Sequence, residues 1–157
     1  MVLMFLYKKI IKTLIQKNIS IAVAESCTGG KISYLISTVP GVSKIFDLGL
    51  VTYSNNSKFK ILKVPKSIIN KHGAVSEEVS RLMVKNLYSI TKSKICISTT
   101  GIAGPTGNTQ YKPLGLIYIG IKYKSKIKIY KKIFRGNRSM FQKKASEFCL
   151  QEIKKLI

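Results

Sequence analysis

Apolar residues recur in the first segment at Leu3, Leu6, Tyr7, Ile10 and Leu14, the i, i+3, i+4, i+7, i+11 spacing of an amphipathic helix that Asn18 ends. Residues 21–24 are instead an unbroken short apolar run. It meets the turn Glu25-Ser26-Cys27-Thr28-Gly29-Gly30, after which Ile32, Leu35 and Ile36 resume helical spacing. This order predicts strand, glycine-containing turn, helix. Pro40 and Gly41 break the chain, residues 45–53 read as a second strand, and Lys58, Ile61 and Leu62 predict a short helix ended by Val64-Pro65. A longer helix follows: Ser76 is its N-cap, Glu77 and Glu78 favour the positive end of its dipole, and Val79, Leu82, Met83, Leu87 and Ile90 form its buried stripe.

Residues 94–99 make the third strand and run into the loop Thr100-Gly101-Ile102-Ala103-Gly104-Pro105-Thr106-Gly107, whose glycines permit close backbone approach. Two adjacent strands, 114–122 and 126–134, are joined by Tyr123-Lys124-Ser125. Residues 140–156 close the chain as a helix with Phe141, Ala145, Phe148 and Ile153 inward. Helices and strands alternate first and a hairpin comes late, which predicts an α/β fold: a three-layer α/β/α sandwich with a mixed β-sheet, in a single domain over 1–157.

A chain of 157 residues that is 45% hydrophobic is the size of one such domain. Its charge is lopsided, 28 Lys+Arg against 6 Asp+Glu for a formal net charge of +22. The acids are Glu25, Asp47, Glu77, Glu78, Glu147 and Glu152, too few and too scattered for paired-carboxylate chemistry or an Asp/Glu-rich cation site. Cys27, Cys96 and Cys149 stand at wide spacings beside a single histidine, His72, so neither a zinc site nor a disulfide framework is expected. The apolar start turns basic at Lys8 and Lys9, the wrong order for a secretory signal, and is too short to span a bilayer. A cytoplasmic protein with no membrane partner is expected. Lysine is spread widely alongside Ile and Asn, and Tyr118, Tyr123 and Tyr130 interleave with lysines at ordinary strand spacing. The charge therefore reads as a general positive field that attracts phosphorylated ligands, and a nucleic-acid partner is not expected.

In open α/β sheets ligands sit beyond the carboxyl ends of the strands, where this sequence places three polar or glycine-rich turns: 26–30, 53–58 and 99–107. They offer hydroxyls, one amine and many backbone N–H groups. A Ser/Lys hydrolytic centre suits that set, since a serine hydroxyl needs a base and a lysine held neutral by burial can take its proton. Bland roles compete. Ser26 and Thr28 can simply cap the next helix, Lys58 can be a solvated amine, and Tyr53 a strand aromatic. Cys27 with His72 is a further thiol alternative.

Five segments together resemble the C-terminal domain of the competence-damage-inducible protein CinA and its stand-alone relatives, the nicotinamide-nucleotide amidases. They are Ala24-Glu25-Ser26-Cys27-Thr28-Gly29-Gly30, Val51-Thr52-Tyr53-Ser54-Asn55 with Lys58, His72-Gly73-Ala74-Val75-Ser76-Glu77, Thr100-Gly101-Ile102-Ala103-Gly104-Pro105 and Lys112-Pro113-Leu114-Gly115. The resemblance implies hydrolysis of nicotinamide mononucleotide to nicotinic acid mononucleotide and ammonia in the recycling of NAD. No metal or cofactor is implied, and the stand-alone form, as a homo-oligomer such as a dimer, is expected.

By that resemblance Ser26 is the nucleophile and Lys58 the general base. Ser43 relays the proton between them or attacks itself, and Tyr53 holds the lysine or the amide. Backbone N–H groups around Thr28, Gly29 and Gly30, or around Thr100, Gly101, Ala103 and Gly104, form the oxyanion hole. The phosphate finds an N–H-rich turn or Arg138. The rivals are a Ser/Lys amidase for another small carboxamide and a non-catalytic basic module associated with DNA. The chain departs from the family pattern at Asn56, Thr106, Asn108 and Gln142, the last standing where many relatives carry a second arginine, and these positions bear on recognition of ribose and phosphate.

Overall fold

The computed structural model describes residues 2–157, with side chains from Tyr7 onward, so the packing expected of Leu3 and Leu6 lies outside the described residues. Helix α1 (Val2–Gln16) leads into strand β1 (Ile21–Glu25), helix α2 (Lys31–Ser37) and, after a 3₁₀ turn at Val42–Lys44, strand β2 (Phe46–Val51). Helices α3 (Asn55–Lys60), α4 (Lys66–His72) and α5 (Glu77–Thr91) precede strand β3 (Ile95–Gly101). The hairpin of β4 (Leu116–Tyr123) and β5 (Lys126–Ile133) and helix α6 (Arg138–Lys154) finish the chain.

The strands form one five-stranded sheet in the order β2-β1-β3-β4-β5, with β1 parallel to both β2 and β3 and the hairpin antiparallel. Every residue of β1 is buried because helices cover both sides, the condition under which a strand reads as an unbroken apolar run. Ile21 and Val23 face a core made with Ile11 and Leu14 of α1, Ile32 and Ile36 of α2, and Phe141, Ala145 and Ile153 of α6. Ala22 and Ala24 face the other core, with Ile69 of α4 and Val79, Met83 and Leu87 of α5. The result is the expected α/β/α arrangement. Only β4 covers one side of β5, whose free edge exposes Lys126, Lys128, Lys131 and Lys132.

Four local expectations need correction. The spacing predicts neither helix α4 nor the 3₁₀ turn: α4 is 7 residues long, too short for its Ile68-Ile69 pair to show a period, and Pro65 stands at its N-cap rather than merely ending α3. Ile90 is 53% exposed. The buried face of α5 runs through Val79, Ser80, Met83, Val84 and Leu87, which leaves Ile90 at its rim in the last turn. Phe148 is only partly buried. Finally, Thr100 and Gly101 belong to β3 rather than to the following loop, because β4 continues to pair with them through Tyr118 and Ile117.

That last difference shapes the site. Pairing of β1 with β3 ends at Ala24 and Ser98, whereas β3 runs on to Gly101 along β4. The carboxyl end of β1 is thus a notch beside an extended neighbour. The chain also leaves β1 towards β2 on one side while β3 lies on the other, the switch point at which such sheets bind ligands.

Candidate active site

The three polar turns converge in this notch. Lys58, in the last turn of α3, is 1% exposed, and its Nζ lies 2.9 Å from Ser26 Oγ, 2.9 Å from the Thr52 carbonyl oxygen and 3.1 Å from that of Tyr53. The backbone arranges this. Thr52 N–H donates to the Glu25 carbonyl at 2.8 Å, which holds the segment after β2 against the end of β1. Ser54 then caps α3 by accepting from Ser57 N–H at 3.0 Å and turns the chain so that Lys58 points back inside.

Burial is the main influence on the amine and lowers its pKa from 10.5 to about 8, against a smaller opposing effect of Cys27. A neutral amine has two N–H bonds and one lone pair. The two carbonyls take the N–H bonds, leaving the lone pair for the Ser26 hydroxyl, which is the geometry of a general base beside a nucleophile. Burial also pushes the Cys27 thiol up to about 12. His72 is engaged elsewhere, with its Nδ1 3.1 Å from Glu78. The Cys27–His72 alternative is therefore set aside: a neutral, buried thiol without a base is a poor nucleophile.

The floor is built by residues that the sequence did not single out. Thr99 Oγ1 lies 2.8 Å from Thr28 Oγ1 and accepts from Ser26 N–H at 3.4 Å, tying the serine turn to β3. Glu25, fully buried, places its carboxylate over the start of α2, where it accepts from Gly30 N–H and Ile32 N–H at 3.1 Å, Ser33 N–H at 2.8 Å and Ser33 Oγ at 2.7 Å. An internal anion thus occupies the helix N-terminus.

Several expected roles change as a consequence. Gly30 N–H is already spent on Glu25, and Gly29 N–H donates to the Ser26 carbonyl at 3.0 Å, so neither is free for an oxyanion or a phosphate. The glycines serve backbone shape instead, at φ +61 for Gly29 and +91 for Gly30. Among the described residues the Thr28 N–H has no acceptor, and the Cys27 N–H is directed to its own thiol. The Thr100 hydroxyl donates to the Ala74 carbonyl at 2.7 Å, and Gly101 lies between paired strands where a Cβ would come within 2.6 Å of the Leu116 carbonyl oxygen. Both hold the fold rather than face the notch. Ala103 packs against the core on the α6 side.

Ser43 is the clearest correction. It is exposed in the 3₁₀ turn before β2, beyond the Ile21–Phe46 register pair, whereas Ser26 follows the Glu25–Val51 pair at the opposite end. The length of β1 separates them, about 16 Å at the usual strand rise. Within one chain the structure does not bring Ser43 together with Ser26 and Lys58.

The rim carries Arg138, at the start of α6. One guanidinium nitrogen donates to the Gly104 carbonyl at 2.9 Å and the other to the Tyr53 hydroxyl. Tyr53 is 54% exposed, so its ring lines the opening while its backbone carbonyl helps to hold Lys58. Among the described residues no three His, Cys, Asp or Glu side chains gather as a metal site, and no helix is long and apolar enough to cross a membrane.

Residues 4–157 match a family model described as the CinA C-terminal domain. A CinA-like protein of Fusobacterium nucleatum subsp. nucleatum is 46% identical over 142 residues, covering 90% of this chain and 34% of that protein. The chain spans about a third of the length of the curated relatives it matches. Among solved structures, the competence/damage inducible protein CihA of Agrobacterium tumefaciens superposes with a TM-score of 0.92 at 27% identity, covering 98% of this chain and 94% of that one. A CinA superfamily protein from Enterobacter cloacae gives a TM-score of 0.90 at 29% identity, with 99% and 92% covered.

Proposed function

The chain belongs to the CinA C-terminal domain family, and from that premise we propose that it is an amidohydrolase that converts nicotinamide mononucleotide to nicotinic acid mononucleotide and ammonia. The observation that carries the chemistry is the buried Lys58 amine 2.9 Å from Ser26 Oγ, with two carbonyls occupying its other positions. Lys58 takes the Ser26 proton as Oγ attacks the carboxamide carbon, giving a tetrahedral oxyanion. The free N–H of Thr28, in the turn that bears the nucleophile, stabilises that oxyanion. The protonated amine returns its proton to the departing nitrogen, the C–N bond breaks and ammonia leaves. Lys58 then deprotonates a water molecule that attacks the Ser26 ester, and it returns that proton to Ser26 Oγ as the C–O bond to the serine breaks and the acid leaves.

The phosphate binds at the rim, because Glu25 already fills the start of α2. Arg138 exchanges its bonds to Gly104 and Tyr53 for charge-assisted ones to the ligand. The test measures ammonia and nicotinic acid mononucleotide from purified protein, with Ser26→Ala and Arg138→Ala beside the wild type. Ser26→Ala abolishes turnover. Arg138→Ala raises KM for the mononucleotide by about 10- to 100-fold and leaves the phosphate-free nucleoside nearly unaffected. A wild type that releases no ammonia from the mononucleotide, or a Ser26→Ala variant that retains its rate, overturns the proposal.

A further inference from the structure

Helix α6 reaches the serine turn through one side chain. Gln142 Nε2 donates to the Cys27 carbonyl at 3.2 Å, and a Cβ added to Gly29 would lie 3.2 Å from the same nitrogen, so this amide sits close to both Cys27 and Gly29. We infer that Gln142 is a positioning residue that fixes the peptide between Cys27 and Thr28, and so aims the Thr28 N–H used in the reaction. This inference rests on the Ser26/Lys58 reading above.

The argument is geometric. In a trans peptide the C=O and N–H point in opposite directions, so holding the Cys27 oxygen towards α6 directs the Thr28 N–H away from it. The backbone supplies one restraint on this peptide, the bond from Gly29 N–H to the Ser26 carbonyl at 3.0 Å that spans it, and Gln142 adds a second from α6. Thr99 holds the other side of the turn through the Thr28 hydroxyl at 2.8 Å and Ser26 N–H at 3.4 Å. The turn is therefore clamped between β3 and α6. The α6 half of the clamp is a neutral amide that touches no reacting atom, and Ser146 Oγ bonds its backbone carbonyl at 2.8 Å, anchoring the helix beneath it.

The test compares Gln142→Met, which keeps length and loses the donor, Gln142→Arg, which restores a donor, and Gln142→Glu, which sets a carboxylate against the Cys27 carbonyl. Two rates are read. One is turnover of nicotinamide mononucleotide. The other is labelling by a fluorophosphonate, in which Ser26 Oγ forms an O–P bond, fluoride leaves and Lys58 takes the proton, a reaction that uses the same oxyanion donor but no nicotinamide recognition.

Gln142→Met lowers kcat and the labelling rate together by about 10- to 100-fold, with KM within about twofold and the pH midpoint unmoved. Gln142→Glu falls at least as far, and Gln142→Arg recovers both rates to within about threefold of wild type. Unchanged rates in Gln142→Met and Gln142→Glu overturn the inference, as does a rise in KM alone, which would make Gln142 a ligand contact, or a moved pH midpoint, which would route its effect through Lys58. Labelling without ammonia release in the wild type defeats the substrate reading only, and the inference is then decided on labelling rates. A wild type that is not labelled at Ser26 overturns both.

Discussion

The notch at the end of β1 and the β4–β5 hairpin each bury a lysine, and the two sites solve that problem differently. Lys122, 8% exposed, reaches out to the Lys124 carbonyl at 2.6 Å in its own turn and lays its ammonium 3.5 Å from the centre of the Tyr88 ring. A carbonyl and an aromatic face are partners for a cation. Lys58 has two carbonyls and a hydroxyl, no aromatic face and no carboxylate, and its pKa falls to about 8 through burial. Burying an amine is therefore no mark of chemistry by itself. What distinguishes the notch is that its third partner is a hydroxyl able to give up a proton.

The largest expected contrast is in turnover. Lys58→Met should lose about 10³-fold or more in kcat, while Lys122→Met stays within about twofold; equal losses in ammonia release would erase the distinction.

Stability separates the two next. The folded-state pKa of Lys58 lies below the unfolded value of 10.5, so below pH 8 both states are protonated and the folded one bears the cost of burial. Between pH 8 and 10.5 only the unfolded chain stays protonated there, and stability rises with pH, by about 3 kcal/mol over the window. Urea midpoints across this range should climb in wild type and in Lys122→Met relative to Lys58→Met; parallel curves for all three would contradict the assignment.

Rates should follow the same group. With a pKa of about 8, roughly a tenth of Lys58 is neutral at pH 7, so kcat should rise about tenfold towards pH 9. A flat profile in wild type would mean that the amine is not the base. The smallest effect belongs to the hairpin, where Lys122→Met should cost about 1 kcal/mol in a denaturant titration, the worth of its contact with Tyr88.

The legibility of the notch in the sequence was uneven, for physical reasons. The turn at Ser26 was visible because an apolar run, a glycine pair and a helical period meet there, and three-layer packing followed from the order of such runs. Lys58 was one lysine among many, since burial comes from α3 folding back and not from its neighbours in sequence. Ser43 misled because nearness to a strand does not say which end of that strand a residue occupies, and the parallel register puts it at the wrong one. Glu25 and Thr99 went unassigned: one caps a helix across the turn and the other acts from a different strand, links that no local spacing encodes.

The lysines of β5 have a consequence unrelated to amide chemistry. Lys126, Lys128, Lys131 and Lys132 line the sheet's open edge, and a strand from another copy that docked there would set ammonium groups against ammonium groups. On the β5 edge this charge opposes templated aggregation. That protection is borrowed from low ionic strength, and salt or a polyanion that screens it exposes a row of unpaired peptide groups ready to recruit the next chain.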